Sequence, residues 1–214
     1  MKCLFIISLC IYYGIGVLSG QENTTENPDS LQAEIHEILQ LIPREKVTEI
    51  AKNHLVSDDG FKAAIKFMKS DDWNENVEII RGKPEWIRFK SFFSTIGFPV
   101  DTLIFCMESF LKMVTVPEVP EDTPKNLTSF MIDVEKVVPL TDIIMKLYEK
   151  QRDNKKFNKI LEKLKTPETK IIVEDVVRLP EVKKMLTDVK NMGLDLGDIF
   201  SMFYFFMGWG EFKM

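Results

Sequence analysis

The sequence has little of what usually marks chemistry. It holds only two histidines and three cysteines. Cys3 and Cys10 fall in the N-terminal stretch, which reads as a leader, so the mature chain keeps Cys106 alone and can form no intrachain disulfide. The fold must then be held by packing. Cys106 sits in the apolar run LIFCM and is read as a small buried hydrophobe rather than a reactive thiol. His36 and His54 lie far apart with no nucleophile or metal-ligand spacing beside them, and both read as helix-surface residues. No G-x-S-x-G, P-loop or H-E-x-x-H motif occurs. These absences argue against an enzyme, and no cofactor or metal is expected. There is also no strongly basic face of the kind nucleic acid requires. Past the leader, no apolar run approaches the roughly 20 residues that span a bilayer.

What is present begins at the N-terminus. Lys2 and the apolar run 3–17, ending in Val17-Leu18-Ser19-Gly20, have the form of a secretory signal peptide over residues 1–20. Residues 21–29 read as a flexible N-terminus. Removing Lys2 leaves 27 basic against 33 acidic side chains (28 − 1 and 33), a net charge of −6. Asn23 and Asn126 begin sequons, Asn23-Thr24-Thr25 and Asn126-Leu127-Thr128, which matter on a secreted route.

The chain also repeats itself. Pro43 and Pro139 are 96 positions apart (139 − 43), as are Phe61 and Phe157, Pro84 and Pro180, Gly97 and Gly193, and Phe110 and Phe206. The apolar faces follow. Phe61, Ala64, Ile65 and Met68 stand at i, i+3, i+4 and i+7, the spacing of one helix face, and Phe157, Ile160, Leu161 and Leu164 repeat it. The pattern predicts about six short helices per unit, near 30–42, 43–55, 58–69, 72–82, 84–96 and 101–113, with a second set from about 126. Pro84 and Pro180 suit a first helical turn. Gly97 and Gly193 suit the left-handed position past a helix end. Ser57 or Asp58 is the expected N-cap of the Phe61 helix, Asp153 or Asn154 that of the Phe157 helix, and Asp101 and Asp198 those of the last helices; Asp71 and Asp72 are read the same way. The run KIIVEDVV is the one strand candidate. Residues 30–113 then form repeat 1, 114–126 a Pro-rich linker, and 127–214 repeat 2.

These residues carry a resemblance. Ile42-Pro43, the Phe61 and Phe157 faces, Pro84 and Pro180, and the turns Gly97-Phe98-Pro99-Val100 and Gly193-Leu194-Asp195-Leu196 together resemble the insect allergen-related repeat family. That family includes cockroach group 1 allergens, mosquito midgut microvilli proteins and caterpillar nitrile-specifier proteins. The resemblance implies an all-α fold in which the two repeats form one helical capsule around a large apolar cavity. It implies fatty acids or phospholipids as ligands, a secreted protein of the gut lumen or microvillar surface, and a monomer. On that basis the expected lining is Phe61, Phe89, Phe93, Leu103, Met107 and Phe110, with Phe157, Met185, Ile199, Phe203 and Phe206. Eight of the nine residues 199–207 are apolar or aromatic, so this stretch is read as the last helix facing the shared interior. The lysines within 146–170 are either a solvated helix face or a patch for transient contact with anionic headgroups. Alternative functions are lipid exchange with membranes, giving lytic or antimicrobial and antiviral activity, nitrile-specifier-like detoxification, and a structural role in the gut lining.

Overall fold

The computed structural model describes residues 37–38, 40–98 and 100–212, apart from the side chains of Thr102, Leu103, Cys106 and Ile199. The leader, the flexible N-terminus, His36 and Asn23 lie outside the described residues. Those residues form eleven helices and no strand. They are α1 (Arg44–Ser57), α2 (Asp59–Met68), α3 (Asp71–Gly82), α4 (Pro84–Thr95), α5 (Val100–Met113), α6 (Thr128–Glu135), α7 (Leu140–Asp153), α8 (Lys155–Leu164), α9 (Pro167–Val177), α10 (Pro180–Asn191) and α11 (Gly197–Met207). The helices α1, α2 and α4 recur 96 positions on as α7, α8 and α10 with the same bounds, for example 140 − 44 and 153 − 57. The bounds of α3 and α5 recur within two residues as α9 and α11.

Local chemistry explains these boundaries. Asp58 Oδ1 accepts the Phe61 N–H at 2.9 Å, and Asn154 Oδ1 accepts the Phe157 N–H at 3.0 Å. Ser70 and Thr166 hydroxyls accept the Trp73 and Thr169 N–H groups, each at 3.3 Å. Each pair of caps is again 96 apart, and each satisfies an otherwise orphaned helix donor. Asp71 and Asp72 therefore stand in the first turn of α3 behind the Ser70 cap. Pro84 and Pro180 occupy first-turn positions. Gly97 and Gly193 have φ of 76° and 89°, the left-handed backbone that ends α4 and α10.

Several expectations need correction. Asp101 and Asp198 lie inside the first turns of α5 and α11 rather than at their caps. Both helices start earlier than the acid, where negative charge still favours the helix dipole. Ahead of α11, Asp195 Oδ1 accepts the Gly197 N–H at 2.9 Å. The strand candidate KIIVEDVV lies in α9. Thr166 caps that helix and Pro167 opens it, while Ile172, Val173, Val176 and Val177 are buried on one side. Its β-branched residues fit a helix because their 3.6-residue spacing buries a stripe.

Packing crosses between the two halves of the chain. α1 packs on α6, α3 on α10 and α4 on α9. The last two contacts are reciprocal, since α9 and α10 are the counterparts of α3 and α4. Neither half buries its apolar stripes alone. The expected linker 114–126 is not loosely tethered. Asn126 N–H donates to Gly60 O at 3.0 Å, Leu127 N–H to Met192 O at 2.7 Å, and Val119 is buried. A Cβ on Gly193 would meet Thr128 Oγ1 at 2.2 Å, so this crossing requires glycine.

Candidate functional site

The expected lining residues separate into three apolar clusters. Phe61, 1% exposed, lies in a cluster with Ile65, Phe130, Val134 and Met192, and Phe110 packs against it. Phe93 lies in a second cluster with Val173, Val177, Tyr204 and Trp209, where Phe89 and Phe203 join it. Phe157 packs with Leu161, Leu147 and Phe98 in a third. Met107 and Met185 are half-buried, and Phe206 is 43% exposed. Leu103 and Ile199 are among the side chains outside the description. Asn126 is exposed, and its Oδ1 accepts the Thr128 N–H at 2.8 Å.

The second cluster is the most aromatic. Phe89 and Phe93 rings lie 4.4 Å apart, Phe93 meets Phe92 edge-on at 5.4 Å, and Trp209 stands edge-on to Tyr204 at 5.2 Å. Burial pushes the Tyr204 phenol up to about 12, so it stays neutral among these rings. At the edge of this cluster an open groove of about 640 Å³ runs between α4 and α9, lined by Pro84, Ile87, Arg88, Ser91, Phe92, Thr95 and Ile172. Ile87, Ser91 and Thr95 follow an i, i+4, i+8 row along α4. Arg88 is the single charge in the lining, and its Nη2 reaches Asp175 Oδ2 at 3.2 Å. None of these seven residues was expected from sequence. Helices were expected at both places, but no local pattern says that α4 packs on α9, so nothing brought Arg88 and Ile172 together.

A second hollow of about 450 Å³ lies at the corner between α7 and α8, walled by long charged side chains. Its walls include Lys146, Lys150, Lys155 and Lys156, with Glu149 and Asp153. These lysines belong to the basic stretch 146–170.

His54 is not a surface residue; it is 8% exposed. Its Nδ1 lies 2.8 Å from Asp58 Oδ2 and its Nε2 3.1 Å from Asp133 Oδ2. The ring also lies 5.6 Å from both Phe61 and Phe130. Burial works to raise the Asp58 carboxyl, but the Ser129 hydroxyl, the Phe61 N–H and His54 together hold it below the usual range. Lys136 first, then His54, does the same for Asp133. Both nitrogens are thus engaged in a pin between α1 and α6, which leaves neither for a reacting group. The counterpart of this pin is Lys150 Nζ to Glu37 Oε2 at 2.7 Å, each residue 96 positions away (150 − 54 and 133 − 37). Among the described residues no cluster of histidine, cysteine or acid could hold a metal ion.

The fold and site thus define an all-helical protein whose two halves interleave around aromatic clusters, with an amphiphilic groove between them. A family model described as insect allergen related repeat, nitrile-specifier detoxification, matches residues 30–200, and the chain belongs to that family. No match was found among curated proteins.

Proposed function

We propose that the protein is a secreted, non-enzymatic binder of fatty acids or phospholipid acyl chains, acting as a carrier or sequestering agent in the insect midgut. The observation that carries this reading is the groove between α4 and α9. Ile87, Phe92 and Ile172 offer an apolar wall, and Arg88 stands at its margin, paired with Asp175 but exposed to solvent. That is the complement of an amphiphile with one anionic end. Burying an acyl chain of about sixteen carbons gains on the order of 12 kcal/mol before the costs of ordering and association. Shape selectivity should be weak, because the driving force is non-directional. Further apolar space enclosed between the repeats, lined by residues such as Phe89, Phe93 and Phe203, belongs to the same proposal. So do monomeric function and a glycan on the exposed Asn126.

Displacement of a fluorescent fatty acid tests the reading. Ile87 is 57% exposed, so Ile87→Glu should fold and should weaken uptake at least tenfold. Arg88→Ala should weaken binding of the acid more than of the matching alcohol. Undiminished uptake by folded Ile87→Glu would remove the groove from the proposal. The family description favours a second reading, nitrile-specifier detoxification. Product analysis of plant defence compounds, with and without the protein, decides it.

A further inference from the structure

Exposed lysines of α8 and exposed apolar side chains of α11 come near one another at Lys165 and Phe206. Lys159 and Lys163, one turn apart on α8, are exposed. Beyond the end of α8, Lys165 Nζ lies 6.0 Å from the centre of the Phe206 ring. From there the surface continues over α11 through Phe206, Met202 at 48% exposure and Phe205 at 86%. The opposite side of α11 is apolar too, with Tyr204 and Met207 buried in the aromatic cluster. A helix that is apolar all round calls for apolar partners on both sides.

The fold itself does not demand this surface. The counterparts of Lys159 and Lys163 are Ala63 and Phe67, and those of Met202 and Phe205 are Cys106 and Ser109. The same helical positions in the first half therefore carry neither the lysines nor the exposed aromatic. Phe205 gains almost nothing from packing against the described residues, and it adjoins exposed Met202 and Phe206 on the same face.

We propose that the α8–α11 surface docks the protein on bilayers rich in anionic headgroups. The aromatic face enters the headgroup boundary and the flanking lysines meet the negative charge, which is the division of labour of interfacial helices. Among the described residues no helix is long and apolar enough to cross a membrane, so the contact is peripheral. The alternative occupant, a second copy, is disfavoured by charge. A face that pairs with itself must accommodate the lysines of both copies. Glu162 is the one acid on α8, and Asp198 the one acid on α11. The docking does not require any interior cargo.

Co-sedimentation of the mature chain with phosphatidylserine-containing vesicles, against pure phosphatidylcholine vesicles, tests the proposal. Retention is expected on the anionic vesicles only, falling steeply as salt rises. Phe205→Glu should abolish it. Phe205→Ser, which installs the residue found at Ser109, should weaken it and serves if the glutamate variant misfolds. Lys159→Glu with Lys163→Glu should weaken it at least about tenfold. The same charge change at exposed Lys46 and Lys52 of α1 should have little effect beyond net charge. No retention on either vesicle, or equal retention by the Phe205 and lysine variants, overturns the proposal. Light scattering in which Phe205→Glu splits a dimer would also overturn it and assign the surface to a second copy.

Discussion

The two halves of the chain solve the same structural problem with different chemistry. At one point of contact α1 offers His54 to Asp133 and Asp58. At the counterpart point α7 offers Lys150 to Glu37. In each half a nitrogen-bearing side chain meets an acid of a distant segment, so the architecture needs a polar pin there and tolerates more than one kind. The capping positions repeat the lesson, with Asp58 in one half and Asn154 in the other. Where the halves differ without structural need, as at Phe205 and Ser109, the cause is better sought in what each half touches.

The largest expected effect separates the two phenylalanines that anchor the repeat. Phe61 contacts Phe130 at 4.6 Å within the large first cluster, whereas Phe157 sits in a small one. Phe61→Ala should cost about 4–5 kcal/mol and Phe157→Ala about 3 kcal/mol by urea unfolding. Equal costs would mean that the clusters form one core. Next come the glycines. Gly193→Ala combines positive φ with a clash against Thr128 and should cost about 3 kcal/mol, while Gly97→Ala should cost about 1–2 kcal/mol from backbone strain.

Exchanging the pins gives a smaller effect. His54→Ala should lower Tm by roughly 5 °C. His54→Lys, which imports the cation of the other half, should lower it less; an equal loss would show that ring packing on Phe61 and Phe130 dominates. The smallest effect concerns acid stability. The Asp58 carboxyl is held low in the folded protein, so its contribution is full above the unfolded value of about 3.9. It is lost as pH falls through the lower folded value. Asp58→Asn keeps the cap, as Asn154 does, and should flatten the stability profile below about pH 4. An unchanged acid slope would remove Asp58 from the account.

Much of the helical architecture was legible because periodic apolar spacing and cap residues are local signals. Pro84, Pro180, Gly97, Gly193, Asp58 and Asn154 stand where their backbone chemistry predicts. α9 was harder, since its β-branched residues suit a strand by composition, and the helix shows in the repeat offset, the Thr166 cap and Pro167. His54 was misread for a different reason. Its burial depends on Asp133 and Phe130, about 80 positions away, and no local pattern carries a contact of that range. The groove was hidden in the same way, because Arg88 and Ile172 meet only when α4 packs on α9. The candidate lining was read from periodicity, which says that a face is apolar but not which of three clusters it joins.

Organic extraction of the purified, folded protein, followed by mass spectrometry of the extract, tests the central claim most directly. Lipid binding predicts stoichiometric fatty acid or phospholipid in the extract, and reuptake of a fluorescent fatty acid by the stripped protein. An empty extract from protein that stays folded and takes up no fatty acid would contradict it.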